Sequence, residues 1–375
     1  AISKILSIVI VLVIVLVGIA YFFLSNQNQS TSQTIKISGA GSTFVAPFMQ
    51  KLASEYKKLT GIEVDYSSIG SGAGIAQFLA KTVDFGASDA PLPKDKWLEA
   101  KDALHIPIII GAVVPIYNIP ELSNVRLKFT CEILANIYLG KITKWDDKEL
   151  VNLNPELANI DKQITIVHRS DGSGTTYIWT DFLSQCSDEW RNSVGKGTSV
   201  NWPATNKIGG KGNEGVSSVV RNTPYTIGYV EFTYAVLNNI PYGSVYNPSS
   251  NEFVEPSIES IQKTVAYVSI SLPKGEEDWS EISIINLFFK SAKNKEMKGA
   301  YPIVSFVYVF IYKELSKIPA MTLEKAKELV KFLKWAIQDG QKYAESLKYV
   351  PLPSEVVQLN LQTLSLVIYQ GKSVL

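Results

Sequence analysis

A glycine-containing turn at residues 168–176 (HRSDGSGTT) lies between two segments of different periodicity. The alternating residues before it, 163–167, predict a strand, and the apolar residues after it recur at helical spacing. Backbone N–H groups and the positive end of a helix dipole would therefore face outward together. Ser173, Thr175 and Thr176 add hydroxyl donors, and Arg169 adds a planar cation. This chemistry suits a small oxyanion, although the same residues also fit an ordinary Asx turn with a helix N-cap.

Two earlier segments, residues 38–44 and 69–74, repeat the order of strand, Gly/Ser-rich turn and helix. A short strand predicted at residues 83–87 is followed by Asp89, and open α/β sheets place their ligand contacts at such carboxyl ends. One glycine-rich turn is weak evidence, because glycine is the usual residue of any tight turn. Three hydroxyl-rich turns that each begin a helix exceed what ordinary turn chemistry predicts. None of them matches the P-loop pattern for nucleotides.

The composition excludes some classes of function. The chain has 375 residues, enough for two domains with a substantial core. Its 36 basic and 35 acidic residues create no general field toward nucleic acid, so we expect no nucleic-acid partner and only local anion recognition. With two histidines in the whole chain, a histidine-based metal site and a cofactor are not expected. Cys131 and Cys186 fit either a disulfide in an oxidising compartment or two small buried side chains.

The first part of the chain predicts a membrane anchor. Residues 5–24 form an uncharged, largely apolar run whose length as a helix, about 30 Å, matches the hydrocarbon core of a bilayer. No small-residue cleavage site follows it, and Lys4 before it predicts a cytoplasmic N-terminus. We therefore expect a single transmembrane anchor at residues 1–24, a polar linker at 25–34 with a glycosylation sequon at Asn28, and an extracytoplasmic globular part. Pilin-type processing and self-association through this helix remain open.

Six segments resemble motifs of the phosphate-binding proteins of high-affinity phosphate ABC importers. In chain order they are residues 37–44 (ISGAGSTF), 83–91 (VDFGASDAP), 137–145 (IYLGKITKW), 169–175 (RSDGSGT), 210–215 (GKGNEG) and 227–231 (IGYVE). The resemblance extends from about residue 35 to about residue 355. It implies an α/β, two-lobed periplasmic-binding-protein fold of type II, with phosphate held between the lobes and ABC permease subunits as partners.

The resemblance also implies how the chain divides between the lobes. The apolar runs at residues 106–115 and 301–312 would be the two crossings, and a near-continuous run of β-branched residues is typical of a strand buried on both faces. The first lobe would comprise residues 35–113 and 302–375, and the second lobe residues 114–301.

Carried over position by position, the resemblance implies that phosphate contacts the Thr43 hydroxyl, the N–H groups of residues 42–44, and side chains or N–H groups from both lobes. The full set is Ser42, Thr43, Phe44, Ser71, Asp89, Arg169, Ser173, Gly174 and Thr175. Ser42 stands where family members vary between small residues. Asp171 would either support Arg169 by pairing with it or serve as a plain N-cap.

Asp89 is the predicted discriminator between phosphate and sulfate. Near neutral pH phosphate carries at least one proton and sulfate carries none. An ionised carboxylate accepts a hydrogen bond from the phosphate proton but repels the unprotonated sulfate. In a desolvated cleft, a carboxylate left facing sulfate costs several kcal/mol.

These residues favour a membrane-tethered solute-binding protein that is not an enzyme. One alternative is a surface array or pilin-like filament built on the same fold. A weaker alternative is a phosphatase in which Ser173 is the nucleophile and His168 the base. The sequence offers no nucleophile elbow and no metal cluster for that chemistry.

Overall fold

The computed structural model describes residues 35–123, 125–268 and 271–375, so the predicted anchor and linker lie outside the described residues. Residues Lys36–Leu375 fold as one unit. Among the described helices, none combines the length and apolarity needed to cross a bilayer.

The strands are β1 Lys36–Gly41, β2 Glu63–Ser68, β3 Phe85–Ser88, β4 Ala103–Asn118, β5 Lys128–Phe129, β6 Thr165–Arg169, β7 Lys207–Gly210, β8 Thr226–Glu231, β9 Ser244–Asn247, β10 Glu252–Val254, β11 Val304–Tyr312, β12 Ile368–Tyr369 and β13 Lys372–Ser373.

Helices cover both faces of the main sheet and fill the connections between its strands. They are α1 Ala46–Thr60, α2 Ser71–Leu79, α3 Lys94–Ala100, α4 Cys131–Leu139, α5 Lys148–Leu153, α6 Gly174–Cys186, α7 Asp188–Ser193, α8 Gly212–Asn222, α9 Phe232–Leu237, α10 Ile258–Tyr267, α11 Ile284–Ala292, α12 Leu323–Ile337 and α13 Ser354–Ser365. Short 3₁₀ helices lie at Pro120–Leu122, Pro155–Leu157, Leu315–Lys317, Asp339–Tyr343 and Glu345–Leu347.

The main sheet consists of two parallel groups of strands joined through the long strand β4. Its order is β2-β1-β3-β11-β4-β8-β6-β7. Strand β1 runs parallel to β2 and β3, and β6 runs parallel to β7 and β8. Strand β4 pairs with β11 from Ala103 to Ala112 and then with β8 from Val113 to Asn118. The chain therefore has the predicted α/β, two-lobed periplasmic-binding-protein-like fold. In the sheet, β1–β3 and β11 lie on one side of β4 and β6–β8 on the other, and 'first lobe' and 'second lobe' below refer to these two sides.

The buried strand predicted at residues 106–115 is present but longer, since β4 spans Ala103–Asn118 and is buried at every position except the last. Burial on both faces explains why its sequence is apolar without alternation. The second apolar run, predicted at residues 301–312, becomes strand only from Val304. Just before it, the Tyr301 hydroxyl donates to the Val113 carbonyl at 2.9 Å, and the Val113 N–H donates to Ile303 at 3.0 Å.

Because glycine is a common helix C-cap, the sequence predicts that Gly61 ends the helix after Phe44 and that Gly340 closes the helix from Leu323 to Gln338. Gly61 closes α1 as predicted, with φ 77°, and its N–H donates to the Lys57 carbonyl. The prediction that Gly340 closes the helix starting at Leu323 is wrong, because α12 ends at Ile337 with Gln338 as its C-cap. Gly340 lies instead in a 3₁₀ helix, where an added Cβ would approach Leu52 Cδ2 to 2.8 Å. Close packing against α1 therefore explains this glycine.

The two cysteines form a disulfide, which decides between the two possibilities that the sequence left open. Cys131 begins α4 and Cys186 ends α6, and they are separated by 55 residues. We expect the double variant Cys131→Ala/Cys186→Ala to lose about 2–4 kcal/mol of unfolding free energy, because the bond restricts a long loop of the unfolded chain. Denaturant unfolding under oxidising conditions measures this loss. With reductant present the two proteins should unfold alike, and equal stability without reductant would contradict the prediction.

Candidate functional site

The carboxyl ends of the parallel strands in both lobes converge on one cleft. In the first lobe, the turns after β1, β2 and β3 carry residues 42–44, Ser71 and Asp89. In the second lobe, the end of β6 and the start of α6 carry residues 169–175. A hydrogen bond from the Gly72 N–H to the Gly172 carbonyl, 2.9 Å long, joins the two sets of turns. The structure therefore brings the predicted site residues together from distant segments, such as Asp89 and Thr175, which are 86 residues apart.

Asp89 lies where the turns from the two lobes meet and is 1 % exposed. Its Oδ1 accepts hydrogen bonds from the hydroxyls of Ser42 and, at 3.5 Å, Ser71. Its Oδ2 accepts the hydroxyl of Thr175, from the opposite lobe, at 3.0 Å. Burial raises the pKa of Asp89 to about 6, although these hydroxyls and the charge of Arg169 oppose that rise. At neutral pH the carboxyl is therefore mainly ionised and can only accept hydrogen bonds.

Arg169 and Asp171 form a buried, two-pronged ion pair. The Nε of Arg169 donates to Oδ1 of Asp171 at 2.8 Å, and Nη2 donates to Oδ2. The arginine side chain is 1 % exposed and the aspartate side chain 15 %. Burial alone would raise the pKa of Asp171, but the hydrogen bonds and charge of Arg169 lower it below the ordinary value. Of the two roles considered for Asp171, the structure shows the ion pair, since the N-cap of α6 is Ser173.

Backbone N–H groups also face the cleft, with one correction to the expected set. The N–H of Ser42 donates to the Ala87 carbonyl at 2.9 Å, so it extends the pairing of β1 with β3 rather than pointing at a ligand. The N–H groups of Thr43 and Phe44 donate to no other residue that the structure describes. Gly174 and Thr175 occupy the first turn of α6, where N–H groups lack partners within the helix. Four groups from two lobes can thus donate to one oxyanion.

The geometry does not pair His168 with Ser173. The Nδ1 of His168 bonds to the Arg169 carbonyl at 2.9 Å, and the ring stacks on Trp202 with centroids 5.5 Å apart. The Ser173 hydroxyl accepts the N–H of Thr176 at 3.1 Å as a helix cap. Each side chain thus has a structural partner other than the one that a phosphatase would require.

Comparison with known proteins places this geometry in a family. A model of the PBP superfamily domain matches residues 26–339. A phosphate-binding protein PstS from Pasteurella multocida is 42 % identical over 328 residues, which cover 88 % of this chain and 89 % of the relative. This chain belongs to the PstS family of phosphate-binding proteins. Another PstS, from Methanocaldococcus jannaschii, is 37 % identical and covers 91 % of this chain and 88 % of its own.

Solved structures show the same fold at lower identity. A high-affinity periplasmic phosphate-binding protein (PfluDING), solved with bound phosphate, superposes with a TM-score of 0.65 at 19 % identity, covering 86 % of this chain and 92 % of its own. A protein from Clostridium perfringens, assigned as the substrate-binding protein of a phosphate ABC transporter and solved with bound phosphate, gives a TM-score of 0.59 at 19 % identity and covers 85 % of this chain and 100 % of its own.

In this PstS-family chain, several tyrosines that the sequence did not single out hold the site residues in place. The Tyr66 hydroxyl donates to the Ser42 carbonyl at 2.8 Å, and the Tyr234 hydroxyl, from the opposite lobe, lies 2.6 Å from the Thr43 carbonyl. The Tyr229 hydroxyl accepts the Arg169 N–H at 3.2 Å. Tyr229 lies in one of the family motifs, but a motif alone does not say which group its hydroxyl meets.

Glu231, the last residue of β8, is fully buried beside the cleft and contacts both lobes. Its Oε1 lies 3.1 Å from the Thr233 hydroxyl and its Oε2 lies 3.3 Å from the Tyr349 hydroxyl. Both hydroxyls also lie close to carbonyl oxygens, of Leu347 and Phe44 respectively, which can take their protons. Burial raises the pKa of Glu231 well above its usual range. The Thr233 N–H donates to Oε2 at 2.9 Å and favours the charged form, so burial acts against this bond. We therefore interpret Glu231 as a carboxyl that keeps its proton to a higher pH than an ordinary glutamate.

The variant Glu231→Gln should change how stability depends on pH. The folded protein keeps a proton that the unfolded glutamate loses above its ordinary pKa of 4.5, so the wild type loses stability as pH rises from there. Glutamine has no such proton. We expect the unfolding free energy of the wild type to fall relative to Glu231→Gln between pH 5 and pH 8, as measured by urea unfolding. Parallel pH profiles for the two proteins would show that Glu231 is ionised in the folded state.

Proposed function

We propose that this protein captures inorganic phosphate between its two lobes and delivers it to the permease of an ABC importer. The observation that carries the proposal is the arrangement around Asp89, where a carboxylate that is mainly ionised at neutral pH lies among hydroxyl groups from both lobes. A protonated phosphate presents one O–H donor and several acceptor oxygens. That pattern complements the cleft. The similarity to phosphate-binding proteins PstS from Pasteurella multocida and Methanocaldococcus jannaschii supports the same ligand.

Arg169 would supply the positive charge for the anion. A guanidinium has five N–H donors, and the ion pair with Asp171 uses one on Nε and one on Nη2. The remaining donors are available for phosphate oxygens, as charge-assisted bonds about twice as strong as neutral ones. Because Asp171 and Asp89 are both acidic, the cleft has no excess of positive charge. Affinity would therefore depend on matched hydrogen bonds, contributed by Ser42, Thr43, Phe44, Ser71, Ser173, Gly174 and Thr175 together with these charged residues.

We assign residues 35–113 and 302–375 to the first lobe and residues 114–301 to the second. The change of partner along β4, from β11 to β8 between Ala112 and Val113, supports this division. Phosphate bound to both lobes would hold them closed about this strand by a hinge motion. A permease could then distinguish loaded from unloaded protein by the closure of the lobes.

We also propose that the globular part is extracytoplasmic and tethered to the cell membrane. The apolar run at residues 5–24 and the polar linker after it support the tether. The Cys131–Cys186 disulfide supports an oxidising compartment. Self-association through residues 5–24 stays a prediction from the sequence, since these residues lie outside the part of the chain that the structure describes.

Isothermal calorimetry of the full chain with phosphate and with sulfate tests the proposal. We expect one phosphate per chain and sulfate binding that is weaker by about 10³-fold or more, because an unprotonated oxyanion leaves Asp89 unmatched. Absence of phosphate binding would refute the proposed function. Equal affinity for the two anions would refute the role of Asp89 while leaving oxyanion capture in place.

A further inference from the structure

Asn213 makes hydrogen bonds to both sides of the cleft. It follows β7 at the start of α8 and is fully buried. Its backbone N–H and its Nδ2 donate to the Thr43 hydroxyl oxygen at 3.1 and 2.9 Å. The same Nδ2 donates to the Thr175 hydroxyl oxygen at 3.2 Å, and Oδ1 accepts the Glu231 N–H at 3.0 Å. Because a backbone N–H can only donate, this last bond identifies which end of the amide is the oxygen.

These contacts determine the direction of two hydroxyl protons. The Thr43 oxygen receives two donors, which occupy both of its lone pairs, so its single proton must be donated elsewhere. Among the residues that the structure describes, none accepts that proton. The Thr175 oxygen receives one bond from Asn213 and donates its proton to Asp89 at 3.0 Å. Thr43 is therefore a donor toward the cleft, whereas ionised Asp89 is an acceptor.

We propose that Asn213 is a positioning residue that orients the Thr43 hydroxyl and thereby sorts the unprotonated from the protonated oxygens of bound phosphate. The inference rests on the proposed phosphate site. With Asn213 in place, the Thr43 hydroxyl can only donate, which favours an unprotonated phosphate oxygen as its partner. Asp89 accepts from a phosphate oxygen that carries a proton. Without Asn213, the Thr43 hydroxyl can turn and accept, so it no longer distinguishes the two kinds of oxygen.

The orientation also depends on closure of the lobes. Asn213 follows β7 in the second lobe, and Thr43 follows β1 in the first, so their two hydrogen bonds exist only when the lobes are together. The direction of the Thr43 hydroxyl proton is thus fixed only in the closed form. When the lobes close on phosphate, the Thr43 hydroxyl would be available to it only as a donor.

Two substitutions at Asn213 separate orientation from packing. Asn213→Ala removes the side-chain donor, and we expect phosphate affinity to fall by about 10–30-fold. Asn213→Asp keeps the size and shape, but its carboxylate accepts the Thr43 proton and turns the hydroxyl away from the ligand. We expect this variant to lose more than about 100-fold, because it reverses a hydrogen bond and adds a like charge. Wild-type affinity in Asn213→Asp would overturn the proposal, and this isosteric variant carries the test if Asn213→Ala does not fold.

A double-mutant cycle with Thr43→Val supplies a readout that a purely structural role would not change. Valine keeps the shape of threonine without its hydroxyl, so in that background Asn213→Ala should weaken phosphate binding by less than about threefold. Additive effects of the two substitutions would refute the orienting role. Calorimetry of the full chain with inorganic phosphate gives the affinities, and thermal unfolding confirms that each variant folds.

Asn154 offers a matched control within the second lobe. It is 3 % exposed, its Oδ1 accepts the Lys128 N–H at 2.8 Å, and its Nδ2 donates to the Lys128 carbonyl at 3.0 Å. Asn154→Ala should lower stability and leave phosphate affinity unchanged. If the wild type binds no phosphate, the proposed function fails. If it binds phosphate but the cycle is additive, only the role of Asn213 fails.

Discussion

Replacement of Asp89 by asparagine is expected to reduce the discrimination between phosphate and sulfate by about 10³-fold. The ionised carboxylate repels an unprotonated oxyanion, whereas a carboxamide can donate to it through its NH₂ group. Most of the change should therefore be a gain in sulfate affinity. Calorimetric titration of the wild type and of Asp89→Asn with phosphate and with sulfate at pH 8 measures the ratio of the two affinities. An unchanged ratio would show that selectivity resides elsewhere in the cleft.

Asp84 provides the matched control for this substitution. It is also a buried carboxylate of the first lobe, 2 % exposed, but it pairs with Lys325 at 2.8 Å and hydrogen-bonds Ser38, outside the cleft. Asp84→Asn should lower stability without changing the preference for phosphate over sulfate.

The wild type should also acquire sulfate binding as the solution becomes acidic. Because the pKa of Asp89 is raised to about 6, the carboxyl is ionised above that pH and protonated below it. A protonated carboxyl can donate to sulfate. We expect sulfate affinity to rise as pH falls from 8 through 6 to 5 in the wild type, and to stay nearly constant in Asp89→Asn. The same pH dependence in both proteins would exclude Asp89 as its source.

Replacement of Arg169 by alanine is expected to weaken phosphate binding by about 10³-fold or more, because breaking a buried ion pair leaves an uncompensated charge. Asp171 and Asp89 would then both lie near the anion without the guanidinium that compensates their charge. The lost guanidinium also removes charge-assisted bonds to the ligand. Arg169→Lys retains the charge but not the two-pronged geometry, so we expect an intermediate loss. Calorimetry with phosphate measures the loss of affinity in each variant, and thermal unfolding measures the loss of stability.

Binding and folding effects of Arg169 can be distinguished with the partner residue. The double variant Arg169→Ala/Asp171→Ala removes both buried charges, so it should regain stability relative to the single variant without regaining phosphate binding. Arg221, exposed on α8, is the control, and its replacement by alanine should change neither property. A folded Arg169→Ala protein that binds phosphate within tenfold of the wild type would contradict the assigned role.

Much of the fold was predictable because its signals are local. Apolar runs without alternation predicted β4 and most of β11, and glycine with its free φ angle predicted the end of α1. The same reasoning failed at Gly340, where contact with Leu52 in another element, rather than a helix end, requires the absence of a side chain. The disulfide was likewise undecided, since two cysteines 55 residues apart do not reveal their distance in space.

The residue types of the candidate site were determined by the sequence, since the Gly/Ser/Thr turns and Asp89 follow predicted strands and match family motifs. What each group does was decided by tertiary structure. The Ser42 N–H donates within the sheet, Asp89 accepts the Thr175 hydroxyl from the other lobe, and the Thr43 hydroxyl accepts from Asn213, 170 positions away. Hydrogen-bond direction and pKa depend on the partners and the burial of a group, and those partners come from segments that only the fold brings together. Periodicity and motif spacing reflect the order of residues along the chain. They could therefore predict which residues supply donors and acceptors, but not which donor bonds to which acceptor.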